Sequence, residues 1–405
     1  MGEWKTLWSY LPVDYGTGIG TVENVTQRTV FWNNLSGNKI RLKFSNIYGS
    51  KPLLFEKVVI AKKSQKEEKI TGFTTVKKDN SEWICIEPEM EFFSDEIDWS
   101  IEAGTELVLS VYIKKAEEVK SACSSLSGRS WHTVYSKKEG SYVTEQSFDE
   151  ISCLNQFPKL CQYPDPNMIL IGVREIQVFT ERSSKQMVMF GDSIIHMSWF
   201  SDAVMSRLYK EKIDKIAILN RGISGNRILH GPLYVDHIPG NGSIYGKAAI
   251  KRFESDCFSN GVPEYIIFLE GINDMIFPEW FSEPDENITA EELKSAIIKM
   301  AELAHKKGSE FWIGTLLPYQ NPENLVCPKA EKIRQQLNHW IRKQNITDSF
   351  LDFDRVLSDP NNSGCLKEKI HIGDWIHPNE KGGEIMAEEV FGNIIHDFLA
   401  GYDRG

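Results

Sequence analysis

Four short blocks in the C-terminal half of the chain hold a hydroxyl, an imidazole, a carboxylate and amide donors: Gly191-Asp192-Ser193, Gly225, Gly271-Ile272-Asn273-Asp274 and Asp374-Trp375-Ile376-His377. Together they have the parts for attack on an ester carbonyl. A serine hydroxyl is a weak nucleophile until a base takes its proton. Ser193 is the candidate nucleophile and His377 the candidate base, with Asp374 able to hold one ring nitrogen and leave the other facing the hydroxyl. The N–H groups of Ser193 and Gly225 and the side-chain amide of Asn273 are candidate donors to the oxygen of a tetrahedral intermediate. Each block alone is weak, since an isolated serine after a strand reads as a helix N-cap and Asp-x-x-His-Pro as a capped surface turn. Their order, and the backbone each one sits on, makes the set specific. His371, Asp374 and His377 are evenly spaced as metal ligands could be, but no further ligand cluster accompanies them, and neither metal nor cofactor is expected.

Positioning these residues requires a parallel sheet. Met187–Phe190, Ile216–Leu219, Tyr265–Leu269, Phe311–Leu316 and Phe350–Phe353 are short apolar runs, separated by segments with helical periodicity such as Phe200, Ala203, Val204 and Leu208, or Leu293, Ala296, Ile297, Met300 and Ala304. Strands alternating with helices give a three-layer, flavodoxin-like α/β domain with a five-stranded parallel sheet. Ligands of such sheets bind beyond the strand carboxyl ends, where the strand order reverses. In the order 2-1-3-4-5 the first three strands are neighbours there, so Ser193, Gly225 and Asn273 converge, and the loop carrying Asp374 and His377 need only fold back over the same rim.

Before about Thr180 the signals are strands: Ile40–Phe44 alternates, and Leu107–Ile113 and Ile169–Val173 are β-branched runs. Turns at Ser36-Gly37-Asn38 and Tyr48-Gly49-Ser50 break them up, as expected of an all-β sandwich of jelly-roll type. Glu181–Lys185 is the natural seam, giving an accessory domain at residues 1–182 and an α/β domain at residues 183–405. A chain of 405 residues favours two cores over one.

The formal net charge of −11 argues against nucleic acid and anionic membrane surfaces, which attract basic faces, and favours a neutral or cationic small substrate. The N-terminal residues lack a charged segment followed by an apolar run, and no stretch approaches roughly eighteen apolar residues, so the expected location is cytoplasmic. Seven cysteines, odd in number and without a C-x-x-C pair, read as reduced, mostly buried thiols.

The blocks resemble the SGNH or GDSL hydrolase family, named for the serine, glycine, asparagine and histidine that match Ser193, Gly225, Asn273 and His377. The motifs are Phe190-Gly191-Asp192-Ser193-Ile194, Asn220-Arg221-Gly222-Ile223-Ser224-Gly225-Asn226, Glu270-Gly271-Ile272-Asn273-Asp274 and Asp374-Trp375-Ile376-His377-Pro378-Asn379. The likeness spans roughly residues 186 to 400. Residues 38–49 look like the β-sandwich fused ahead of the hydrolase in a branch that includes xylanase-associated arylesterase and acetylesterase-like proteins. The resemblance implies metal-free, serine-dependent hydrolysis of carboxylic esters, often acetyl groups on plant polysaccharides or their oligosaccharides. Two positions depart from the family pattern: Ile195-His196 stands where threonine is common, and Gly383 where an aromatic is frequent.

The expected activity is serine-dependent removal of acetyl or other short acyl groups from a carbohydrate or small-molecule ester. Asp192, Arg227, His230 and Tyr234 are the candidate substrate-binding residues. The last two lie in the long connection from Leu229 to Gly246, which also holds Asp236 and His237 and reads either as an acyl-pocket lid or as a solvated or subunit-contacting loop. The alternatives are a lysophospholipase or thioesterase, and a carbohydrate-binding protein with a degenerate hydrolase domain, in which Trp32, Trp83 or Trp99 would stack on sugars. No membrane or nucleic-acid partner is expected, and self-association is left open.

Overall fold

The computed structural model describes residues 2–63, 69–162, 168–235, 239–281, 283–323 and 327–396. The chain divides into two units. One comprises Met1–Gln186, Met205–Leu219 and Tyr234–Ile244, and the other Met187–Val204, Asn220–Leu233 and Tyr245–Gly405.

In the first unit the alternation around Ile40 produces a half-buried strand, Gly37–Ser45: Ile40, Leu42 and Phe44 are buried, while Arg41 and Lys43 point to the opposite face. Arg41 lies over the rings of Trp4 and Phe93, at 4.2 and 4.1 Å, so its guanidinium is sheltered without losing its charge. The strand belongs to an antiparallel sheet ordered Glu3–Ser9, Val173–Thr180, Gly37–Ser45, Glu91–Phe93, with Ile97–Ile101 also paired to Gly37–Ser45. A second antiparallel sheet runs Glu150–Ser152, Trp131–Ser136, Val25–Asn33, Thr105–Ile113, Lys57–Lys63, Ile70–Thr75. Leu42, Phe44 and Ile176 of the first sheet share one apolar cluster with Phe31, Leu107, Leu109 and Trp131 of the second, which makes the region an all-β sandwich. The expected turn at Ser36-Gly37-Asn38 is shorter than its composition suggests: Gly37 and Asn38 already pair in the sheet, and only Ser36 remains outside. Of the three tryptophans considered for sugar stacking, Trp99 is buried, Trp32 is stacked on Tyr209, and Trp83 is 52% exposed.

The second unit carries most of a parallel sheet whose strands are β1 (Lys185–Gly191), β2 (Ile216–Gly222), β3 (Tyr265–Leu269), β4 (Glu310–Gly314) and β5 (Ser349–Leu351), in the order β2-β1-β3-β4-β5. Gly191 is level with Leu269 and Phe268 with Ile313, so the carboxyl ends of the central strands finish together at one rim. Near-continuous burial of β1, β2 and β3 accounts for their unbroken apolar runs. Helix Ala290–Lys307 covers the sheet with Leu293, Ala296, Ile297, Met300 and Ala304. It starts at a Thr289–Glu292 capping box and stops at left-handed Gly308. Among the described residues no helix is long and apolar enough to cross a membrane. Cys123, Cys153, Cys257, Cys327 and Cys365 are free and buried, Cys85 is free and half-buried, and the side chain of Cys161 lies outside the described residues.

The C-terminal helix Glu380–Val390 explains one departure from the family pattern. A Cβ at Gly383 would stand 2.2 Å from the carbonyl oxygen of Trp199, so the two backbones touch and no aromatic side chain fits there. Gly383→Ala is expected to destabilise the protein by about 1–3 kcal/mol, the usual range for overpacking against unyielding atoms. A melting temperature equal to that of the wild type would show that the two backbones separate without cost.

Candidate active site

β1 ends at Gly191, and the chain turns at once into the short helix Ser193–His196. Asp192 caps it, accepting the N–H of Ile194 at 3.0 Å, and the first-turn N–H of Ser193 has no intrahelical acceptor. Ser193 is 6% exposed, and its Oγ lies 2.8 Å from Nε2 of His377. On the other side of that ring Nδ1 meets Asp374 Oδ2 at 2.5 Å, while Asp374 Oδ1 accepts the N–H groups of Ile376 and His377 at 2.9 and 3.0 Å. Burial pushes the Asp374 carboxyl up, but bonding to the His377 ring and to these two N–H groups outweighs it and holds the group below the ordinary carboxylate range. Hydroxyl, imidazole and carboxylate therefore form one hydrogen-bonded chain.

The loop bearing the imidazole is closed on itself. Ile372 N–H donates to the His377 carbonyl, and Asn379 N–H to that of Ile370. The Asn379 side chain donates to the carbonyls of Lys369 and His371 while capping the following helix through Lys381 and Gly382. Nδ1 of His371 accepts the N–H groups of Gly373 and Trp375, and among the described residues no three His, Cys, Asp or Glu side chains, His371, Asp374 and His377 included, gather as a ligand set.

Beyond β2, Gly225 adopts φ +73°, and a Cβ there would lie 2.1 Å from the ring of Tyr245. Both conditions call for glycine. Asn273 opens the helix Ile272–Trp280 after β3, is 6% exposed, and uses one hydrogen of its Nδ2 on the carbonyl of Asn226 at 2.9 Å, leaving the second for another acceptor. The carbonyl it binds belongs to the residue after Gly225. The structure thus brings Ser193, Gly225, Asn273, Asp374 and His377 together around the sheet rim.

The four candidate substrate-binding residues do not share this arrangement. Asp192 is buried behind Ser193 and serves the turn. Arg227 is 2% exposed and committed to Glu286 at 2.5 Å and to the carbonyl of Gly231 at 2.6 Å. His230 Nδ1 is 3.9 Å from the same Glu286, and Tyr234 is 70% exposed in the other unit. Asp236 and His237 lie outside the described residues. From the long connection it is Tyr245, at its end, that reaches the rim.

Sequence reasoning also passed over a layer beneath the rim. His196, at the second position departing from the family pattern, has Nδ1 2.7 Å from Ser224 Oγ, joining the turn after Ser193 to the residue before Gly225. Asp274 accepts the N–H groups of Ile228 and Leu229 at 2.7 and 2.9 Å. Arg252 is 4% exposed on helix Ala249–Phe258, whose buried positions also include Ala249, Phe253 and Cys257. The available signal was an arginine on an apolar stripe.

A flavodoxin-like sheet carrying a hydroxyl, an imidazole and a carboxylate in series over its rim defines an ester hydrolase of the acylhydrolase class. Residues 189–385, in the α/β part of the chain, match the family model described as the GDSL-like lipase/acylhydrolase family. Three solved structures are similar to that part. A GDSL-like lipase from Bacteroides thetaiotaomicron is 19% identical, with 53% of this chain and 89% of that one covered and a TM-score of 0.37. An acetyl xylan esterase variant from Geobacillus stearothermophilus is 17% identical, with 52% and 94% covered and a TM-score of 0.39. An α/β hydrolase from the metagenome of Lake Arreo, Spain, is 18% identical, with 52% and 94% covered and a TM-score of 0.38. A search of curated proteins gave no match.

Burial raises the Asp192 carboxyl from its ordinary 3.8 to about 7, against the opposing pull of Ile194 N–H and His377, and raises Asp274 to about 6. Each folded-state value lies above the unfolded one, so the protonated forms favour folding. Their contribution is complete below about pH 4 and is lost as pH rises through 6 to 7. Asp192→Asn keeps an oxygen for Ile194 N–H and removes the titration. It is expected to raise the melting temperature at pH 8 and leave it nearly unchanged at pH 4, and an equal shift at both pH values would refute the assignment.

Proposed function

We propose that the protein is a serine esterase that removes acetyl or other short acyl groups from carbohydrate or small-molecule esters. The observation that carries the reading is the relay from Asp374 through His377 to Ser193, with contacts of 2.5 and 2.8 Å. His377 Nε2 takes the proton of Ser193 as Oγ attacks the carbonyl carbon. The oxygen that becomes negative receives hydrogen bonds from Ser193 N–H, Gly225 N–H and the uncommitted Nδ2 hydrogen of Asn273. His377 then returns the proton to the departing alcohol. Water, activated by the same imidazole, releases the acyl group and restores Ser193. Asp374 holds the ring in the tautomer this requires and stabilises the imidazolium.

The short-acyl and carbohydrate parts of the proposal rest on the motif likeness described above. The net charge of −11 is in keeping with a neutral ester. Because the Asp374 carboxyl is held below its ordinary range, it stays ionised and able to hold the ring through mild acid.

Hydrolysis of p-nitrophenyl acetate, butyrate and octanoate tests the reading. The expected results are rates that fall with acyl length, resistance to EDTA, and a loss of at least about 1000-fold in Ser193→Ala. Turnover by Ser193→Ala equal to the wild type would falsify the serine mechanism, and rates rising with acyl length would favour a lysophospholipase or thioesterase.

A further inference from the structure

Among the described residues, Arg252 is the side chain that touches all three chain segments supplying the candidate oxyanion donors. Nη2 donates to the carbonyl of Gly191 at 2.9 Å, in the peptide leading to Ser193. Nη1 donates at 3.0 Å to the carbonyl of Arg221, at the end of β2, and at 3.0 Å to Asp256 Oδ2 on its own helix. Nε donates to Asn226 Oδ1 at 2.7 Å, on the residue whose backbone nitrogen completes the Gly225 peptide. Nη2 also stands 3.5 Å from the carboxylate of Glu270, which closes the strand ahead of Gly271, Ile272 and Asn273. The guanidinium carbon also stands over the ring of Phe190, 4.0 Å from its centre.

We propose that Arg252 is a positioning residue for ester hydrolysis, holding the Ser193, Gly225 and Asn273 donors at one spacing through the carbonyls of Gly191 and Arg221, the side chain of Asn226 and an ion pair with Glu270. The inference deepens the esterase reading and rests on it. Arg252 is buried below the rim and touches no reacting atom. Its planar fork donates to four acceptors, the carbonyls of Gly191 and Arg221, Asn226 Oδ1 and Asp256 Oδ2, and sets its charge 3.5 Å from Glu270, a pattern suited to a guanidinium. A lysine ammonium donates from a single point and cannot reach Gly191, Arg221 and Asn226 together. Oxyanion stabilisation depends on donors set in advance at the position of the developing charge, so loosening the frame lowers transition-state affinity more than ground-state affinity. Neither carboxylate oxygen of Glu270 finds a hydrogen-bond donor among the described residues, which leaves the guanidinium as the cation facing it.

The test compares Arg252→Lys and Arg252→Gln with the wild type in p-nitrophenyl acetate hydrolysis and in calorimetric binding of a small alkylboronic acid, which adds to a serine hydroxyl as a tetrahedral adduct. In a variant that keeps a cooperative melting transition, kcat is expected to fall by about 100-fold or more with KM within about threefold, and the boronate Kd to rise by a similar factor. Loss of general integrity would reduce the active fraction and leave Kd where it was. Unchanged kcat and Kd in folded Arg252→Lys, a fall in kcat with Kd unmoved, or failure of both variants to fold would each overturn the proposal. Wild-type protein that neither turns over the ester nor binds the boronate would bring down the esterase reading itself, whereas an active wild type with an indifferent Arg252→Lys would bring down this inference alone.

Discussion

Asn226 uses every hydrogen-bonding atom it has. Its N–H donates to Ile223, its carbonyl accepts from Asn273, its Oδ1 accepts from Arg252, and its Nδ2 donates to the carbonyls of Tyr245 and Lys247. The loop after β2 is thereby tied to the loop after β3, to the helix beneath and to the end of the long connection. Three strands deliver three donors, and a useful oxyanion site tolerates errors of only about half an ångström. Strand ends alone do not provide such accuracy, because the sheet ladder stops where the donors begin. Ile223 N–H and Arg252 both bond the Gly191 carbonyl, so the last peptide of β1 is held from two sides at the place where the ladder ends.

The parallel sheet and the rim residues were legible in the sequence, and for one reason. Buried parallel strands must be apolar throughout, so Met187–Phe190 and Tyr265–Leu269 stand out, and the residues just after them are confined to the rim by topology. The frame under the rim was not legible, since its members are chosen by three-dimensional proximity. Arg252 sits in a helix with no motif, and two of its four acceptors are backbone carbonyls, which leave no trace in residue type. Arg227 shows the converse error: a charged residue beside a motif suggests a ligand, yet it is paired with Glu286 and buried. At Gly37 the composition indicated a turn, and pairing within the sheet overrode it.

Burying Asp192, Glu270 and Asp274 within one small volume is costly, and burial raises the pKa of all three. An apolar filling in place of Arg252 would remove one charge but strand the Asn226 amide oxygen and take a hydrogen bond from the carbonyls of Gly191 and Arg221. Each unpaired buried group costs about 1–3 kcal/mol. A cation that satisfies several such groups at once and also faces two carboxylates is therefore favoured over a hydrophobic side chain. Asp274 acts in the same way with opposite charge, taking the N–H groups of Ile228 and Leu229 that a loop would otherwise leave unpaired.

The imidazole reaches the site by a different route from the donors. Its loop is bonded mostly to itself, with Trp375 in a left-handed conformation at φ +64° and Asn379 linking the loop to the next helix. Such a loop keeps the His377–Asp374 geometry intact but says nothing about where Ser193 lies. That relation is set by backbone against backbone: the helix capped by Asn379 meets Trp199 at Gly383, and the helix of Trp199 follows the Ser193 turn directly. Contacts between peptide units have no rotamers to vary, so they transmit position better than interlocked side chains of equal area. An aromatic residue at position 383 would move that helix away from Trp199 and carry His377 with it. The glycine that departs from the family pattern is therefore part of what keeps His377 Nε2 within 2.8 Å of Ser193 Oγ.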